Sequence, residues 1–155
     1  MTRTRWLTAD QQRTWRSLVR ATQLLQEGLD RQLQRDAGMP HAYYGILVGL
    51  SESTDGRASM SEVAAFMGFS PSRLSHAVAK MEQYGWVRRT PCPDDRRSTF
   101  ATITRAGRAA LAAAAPGHVD FVREVVFAPL TVDQQHQLRT ACDRMIAALA
   151  EETPT

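Results

Sequence analysis

The stretch from Met60 to Gly107 constrains this chain most, because its local signals specify a fixed series of short elements. Ser70-Pro71 opens a helix: the serine oxygen can accept an orphan backbone N–H, and Pro71 presets φ at the first helical position. Leu74, Ala77, Val78 and Met81 recur at helical spacing as an inward face, leaving Ser72, Arg73, Ser75, His76, Ala79 and Lys80 on the other faces. Gly85 ends the helix as a C′ glycine, and the segment 86–90 alternates as a strand does. Pro91-Cys92-Pro93-Asp94-Asp95-Arg96-Arg97 is rich in turn formers, and the segment 98–103 returns as a second strand. Upstream, Ser61 is expected to cap a helix over 62–67, with 58–60 as a short third strand. Two helices followed by a hairpin with cations at its apex make a winged helix-turn-helix.

Long helices flank this module. Thr8-Ala-Asp-Gln11 has capping-box form and predicts a helix to about Asp36, ahead of Gly38 and Pro40. Its apolar stripe is Trp15, Leu18, Val19, Thr22, Leu25, Leu29 and Leu33. A second helix is predicted over 41–52, then a loop over 51–57 containing Thr54-Asp55-Gly56. Thr104 is placed to cap a helix over 105–115, which Pro116-Gly117 should break or kink before it resumes over 119–127. Thr131-Val-Asp-Gln134, another capping box, starts a last helix reaching about Ala150. The expected class is mainly α with a small β-hairpin wing (α+β). Terminal helices with apolar stripes and no partner layer in so small a chain are expected to pair with a second copy.

The 155 residues suffice for one sizeable core. No apolar run approaches the roughly 20 residues of a membrane span, and the first ten residues lack the apolar core of a secretory signal, so a soluble cytoplasmic protein is expected. Cys92 and Cys142 lie far apart without metal-type spacing, which predicts reduced thiols. Net charge is +3, but residues 70–108 hold eight cations against three acids, a local +5 that leaves −2 elsewhere. A positive footprint on a helix and a hairpin suits a polyanion. With only Lys80 a lysine among 19 cations, the arginine bias itself carries little weight.

These blocks resemble the MarR-type winged-helix transcriptional regulators. The resemblance rests on Met60-Ser-Glu-Val-Ala, Ser70-Pro-Ser-Arg-Leu-Ser-His-Ala-Val-Ala-Lys-Met-Glu, Gly85-Trp-Val-Arg-Arg, Asp95-Arg-Arg-Ser and Ile103-Thr-Arg-Ala-Gly107, in the family's order and spacing. Leu130-Thr-Val-Asp-Gln-Gln near the last helix extends it over nearly the whole chain. It implies a single unit over 1–155, with 8–36 and 105–150 mainly dimerisation helices and 58–104 the winged DNA-binding lobe. It further implies a homodimer on a pseudo-palindromic operator, usually a repressor, released in many members by a small aromatic or phenolic effector. One departure stands out: where many members carry Thr and Arg in mid-helix, this chain has Arg73 and His76.

The expected partner is double-stranded DNA, with Ser70, Ser72, Arg73, Ser75, His76 and Lys80 on the recognition helix. Arg73 can read guanine as a bidentate donor; Lys80 suits a phosphate. Arg96 and Arg97 at the wing tip suit a narrow minor groove, with Asp95 as orienting partner. By resemblance, Trp15, His41, Tyr43 and Tyr44 line an effector cleft. His118 with Asp120, and Asp133 with His136, are read as solvated helix faces, not metal ligands. No catalytic residue, metal or cofactor is expected: the chain has no nucleophile elbow, phosphate-cradling glycine loop or carboxylate pair. Two other readings compete. A winged helix used for protein interaction would not need polar residues at base-reading positions, and a thiol-switch regulator would act through Cys92 in the wing.

Overall fold

The computed structural model describes residues 4–92 and 98–151. The chain forms two compact units, one ending at His118 and the other beginning at Val119.

In the first unit, α1 (Ala9–Ala37) starts at a capping box in which Thr8 accepts from the Gln11 N–H while the Gln11 side chain accepts from the Thr8 N–H, and stops at Gly38 in the left-handed conformation. Only the lower part of its predicted stripe is covered: Leu29 and Leu33 are buried, whereas Trp15 is 58% exposed and Leu18 and Val19 are exposed too. Helix α2 (His41–Glu52) buries Tyr44, Ile46, Leu47 and Leu50. A 3-10 turn, Thr54–Gly56, leads into β1 (Arg57–Ser59).

Helix α3 (Met60–Met67) corrects the expected start. Ser59, not Ser61, is the N-cap, because Ser59 has Glu62 at the third helical position and the two complete a capping box. Counted from Ser61 that position is Ala64, which cannot reciprocate. Beginning the helix at Met60 shifts the strand by one residue relative to expectation. Helix α4 (Pro71–Gln83) follows, capped by Ser70 as predicted, and is succeeded by β2 (Val87–Pro91) and β3 (Thr99–Ile103). The sheet is antiparallel in the order β1-β3-β2, with Ala101 of β3 opposite both Ala58 and Arg89.

One core joins these elements: Leu33, Ile46, Leu47, Leu50, Val63, Leu74, Val78, Met81, Val87, Ala101 and Ile103 are among its members. Full burial of side chains such as Leu74 and Met81 contributes about 1.5–3 kcal/mol each. The expected alternative of a break at Pro116 is not what forms: α5 (Arg105–Val122) continues through the proline as one helix. Proline removes one N–H donor, but packing holds the flanking turns: Ala114 is buried in the core, and Gly117 approaches Gln32 and Asp36 of α1 too closely for a larger side chain to sit easily.

In the second unit, a π-helical turn, Arg123–Phe127, precedes α6 (Val132–Glu151), which Thr131 and Gln134 cap reciprocally. None of the residues of α6 is buried, and Val132, Leu138 and Ile146 are exposed. No helix among the described residues is long and apolar enough to cross a membrane.

Candidate nucleic-acid interface

The junction between α3 and α4 sets the geometry of the helix pair. Gly68 takes φ +62°, and the N–H groups of Gly68 and Phe69 return to carbonyls of the preceding turn, with Phe69 N donating to Ala64 O at 3.0 Å. Ser70 Oγ then accepts from Arg73 N at 3.3 Å. With Leu74, Val78 and Met81 anchored in the core, the other side of α4 is fixed outward. Ser70, Ser72, Arg73, Ser75, His76 and Lys80 are all exposed, so the structure brings the six predicted recognition-helix residues to one solvent-facing surface. Ser70 and Ser72 hydroxyls lie 3.3 Å apart, and Lys80 Nζ donates weakly to Gln83 Oε1 at 3.4 Å. The guanidinium of Arg73 lies over the Phe69 ring, 3.8 Å from its centroid.

The hairpin is joined to this helix at its base. Trp86 N donates to Met81 O, and Thr104 N donates back to Trp86 O. Thr104 Oγ1 donates to carbonyls of Gly85 and Trp86 while accepting from Gly107 N, so one hydroxyl links the end of α4 to the start of α5. Of the two arginines on β2, Arg88 is exposed, whereas Arg89 is bound by Glu82. At the outer end Cys92 N donates to Ser98 O at 2.9 Å. The predicted wing residues Asp95, Arg96 and Arg97 lie outside the described residues.

The residues expected to line an effector cleft are not brought together as a set. A cleft of about 280 Å³ is lined by Gln26, Asp30, His41, Ala42, Met67, Phe69 and Arg73, and includes only His41 of the four. Trp15 lies fifteen residues along α1 from Asp30, about 22 Å at the helical rise. Tyr44 is buried in the core, with its phenol pushed above its ordinary value by that burial, and Tyr43 is half-buried. Asp30 Oδ1 accepts from His41 N at 2.9 Å, which ties the start of α2 to α1. Asp30, Met67 and Phe69 carried no signal in the sequence, because only the crossing of α1 with α2 and the turn after α3 bring them to one cleft. A larger cleft, of about 540 Å³, lies elsewhere, lined by Glu52, Asp55, Arg57, Glu62, Phe66 and Phe100 among others. It contains none of the predicted residues.

His118 corrects another expectation. Instead of facing solvent it is half-buried, its ring 4.3 Å from that of Tyr44 and 6.0 Å from that of His41, and its buried Nδ1 has no hydrogen-bond partner among the described residues. Burial pushes the His118 imidazole below its ordinary value, and the neighbouring His41 adds to that; His41 is lowered by burial against an opposing pull from Asp30. Asp133 and His136 are exposed on α6, and no cluster of three potential metal ligands occurs among the described residues.

Comparison with known proteins agrees with this architecture. Residues 37–98 match the model of the MarR family. Sco3205, a MarR family transcriptional regulator from Streptomyces coelicolor whose structure was solved in complex with DNA, is 51% identical; the match covers 98% of this chain and 94% of that one, with a TM-score of 0.89. AbsC, a second MarR family regulator from Streptomyces coelicolor, is 37% identical over 96% of this chain and 99% of its own, with a TM-score of 0.90. The regulator PecS of Dickeya dadantii is 29% identical over 87 residues, which is 56% of this chain and 52% of PecS, so the chain spans about half the length of that curated relative. The chain belongs to the MarR family of transcriptional regulators.

Proposed function

We propose that this protein is a sequence-selective regulator of transcription that places α4 in the major groove of double-stranded DNA and acts as a homodimer. The observation that carries this reading is the two-sided character of α4: Leu74, Val78 and Met81 are fully buried, while short hydroxyls, Arg73, His76 and Lys80 occupy the opposite surface. Small polar side chains permit close approach to base edges, Arg73 supplies a fork matched to guanine O6 and N7, and Lys80 supplies a phosphate contact. From their chemistry alone, Arg96 and Arg97, with Asp95 as orienting partner, are assigned to the adjacent minor groove. An enzyme is disfavoured because the hydroxyls of Ser70 and Ser72 bond to each other and Ser70 to the helix backbone, an arrangement that caps a helix and activates no nucleophile.

Pairing of two copies is supported by the apolar residues left exposed on the terminal helices, Trp15, Leu18 and Val19 on α1 and Val132 and Ile146 on α6. Sedimentation should give a dimer mass. We assign a small aromatic or phenolic effector to the cleft lined by His41, Phe69 and Arg73, and its binding is expected to release DNA and relieve repression. Titration with aromatic acids should raise the melting temperature and release DNA; absence of both removes the effector from the reading.

The central experiment is selection of bound sites from random DNA, followed by affinity measurements across a salt series. The expected result is an enriched two-fold-related site, with log affinity falling linearly in log salt. No enrichment, or binding of random DNA with equal affinity, would leave the winged helix as a protein-interaction module.

A further inference from the structure

We propose that Phe69 is a positioning residue for sequence readout, acting as a platform that orders Arg73 before DNA arrives. This rests on the reading of α4 as the recognition helix. Phe69 sits in the turn of the helix-turn-helix, where its own N–H is bonded to Ala64 O and the preceding Gly68 closes α3. Its ring is half-buried and packed against the core of the winged lobe, so it cannot swing freely. Arg73 lies in the first turn of α4, its N–H capped by Ser70, and its guanidinium carbon is 3.8 Å from the Phe69 centroid. Backbone and side chain of Arg73 are therefore both fixed by the turn that precedes the helix.

How Arg73 is held governs what it can do next. An acidic partner would orient a guanidinium by occupying its N–H donors, as Glu82 does for Arg89. An aromatic face orients it and leaves the donors unused. Arg73 pairs with no carboxylate among the described residues, although Asp30 lines the same cleft. A long, flexible side chain held against a ring with its fork unpaired by any carboxylate among the described residues suits bidentate recognition of a guanine edge, since less rotamer freedom is given up on binding. The short serines at 70, 72 and 75 make no hydrogen bond to the fork among the described residues. Phe69 thus serves readout without touching a base.

The test compares the ratio of affinity for the selected site over random DNA. Phe69→Leu keeps an apolar side chain in the turn but removes the ring face, and is expected to lower that ratio by about fivefold, while Phe69→Tyr preserves it. In an Arg73→Ala background, Phe69→Leu is expected to have no further effect, because the cycle isolates the pair. Phe69→Met serves the same comparison if the leucine variant does not fold. In the free protein, the Arg73 side-chain protons should show an upfield ring-current shift that Phe69→Leu abolishes. An unchanged or increased ratio for Phe69→Leu, or an equal decrease in both backgrounds, overturns the proposal. The underlying reading fails differently: the unsubstituted protein would then prefer no sequence at all.

Discussion

Glu82, in the last turn of α4, is bound three times by Arg89 of β2. Arg89 N donates to Oε1 at 2.9 Å, Nε donates to Oε2 at 2.8 Å, and Nη2 approaches Oε2 at 2.7 Å. Two charged side chains seven residues apart thereby fix the angle at which the hairpin leaves the helix. The hydrogen bonds from Arg89 hold the Glu82 carboxyl below its ordinary range, against a smaller opposing effect of burial.

Arg89 and its neighbour Arg88 are expected to respond oppositely to substitution. Both side chains of the ion pair are about one-third exposed, so solvent screening reduces its worth and Glu82→Gln should lower stability by about 1 kcal/mol, read from urea unfolding. The contribution from Glu82 is present above the ordinary carboxylate value and is lost as pH falls through its depressed folded value. Arg89→Ala should destabilise the protein while leaving the slope of log affinity against log salt unchanged; Arg88→Ala, with an exposed side chain, should do the reverse. A reduced salt slope for Arg89→Ala at unchanged stability would reverse these assignments.

For Arg96 and Arg97, which lie outside the described residues, an expectation rests on residue chemistry alone. Replacing both Arg96 and Arg97 by alanine should weaken binding to specific and random DNA alike and reduce the salt slope by about 1 for each phosphate no longer neutralised. Unchanged affinity together with an unchanged slope would remove the wing from the interface.

Gly107 lies where α5 meets the end of α4 too closely for any side chain. A Cβ there would collide with Trp86 O and come within 3.0 Å of Ile103 Cγ1, and the first of these is backbone tied into the joint between α4 and α5. Gly107→Ala should cost about 3 kcal/mol, a fall in melting temperature of roughly 6–12 °C. Thr104→Val, which removes the hydroxyl joining Gly85, Trp86 and Gly107, should destabilise by about 1–2 kcal/mol. A melting temperature unmoved by Gly107→Ala would mean that the joint can open at no cost.

The histidine pair supplies a pH dependence. Because burial depresses both His41 and His118, the unfolded chain takes up protons before the folded one as pH falls. Stability is therefore intact above the ordinary histidine value of about 6.5 and declines as pH drops through it toward the lower folded values. The acidic groups with depressed values, Asp36, Glu62 and Glu82, act in a separate and lower window. Melting temperature should fall between about pH 7 and pH 5.5, and His118→Phe, which keeps a ring against Tyr44, should flatten that fall. A His118→Phe profile parallel to that of the unsubstituted protein would assign the dependence elsewhere.

Most element boundaries were legible in the amino-acid order, because their causes lie within three or four residues. Thr8 with Gln11, Ser70 with Pro71, Thr131 with Gln134, and Gly85 each act on their own turn, and each appears in the structure where its local chemistry put it. The start of α3 was legible too, through Ser59 and Glu62, although the nearer Ser61 obscured it. The partition of α4 into a buried and an exposed side followed from helical spacing alone.

How individual polar side chains are used was settled by the meeting of distant elements. Arg88 and Arg89 are adjacent and chemically identical, yet only the fold turns Arg89 toward Glu82. His118 looked like a residue of a solvated helix, and the crossing of α5 with α2 turns it onto Tyr44 instead. Pro116 carried a strong local break signal, which the packing of Ala114 and Gly117 overrode. Trp15 and Tyr44 shared an aromatic identity, but helix length separates one from the other and core packing takes the second. Caps, prolines and glycines act through the backbone at short range, whereas pairing and burial depend on elements meeting across long sequence separations, and only the folded chain sets those distances.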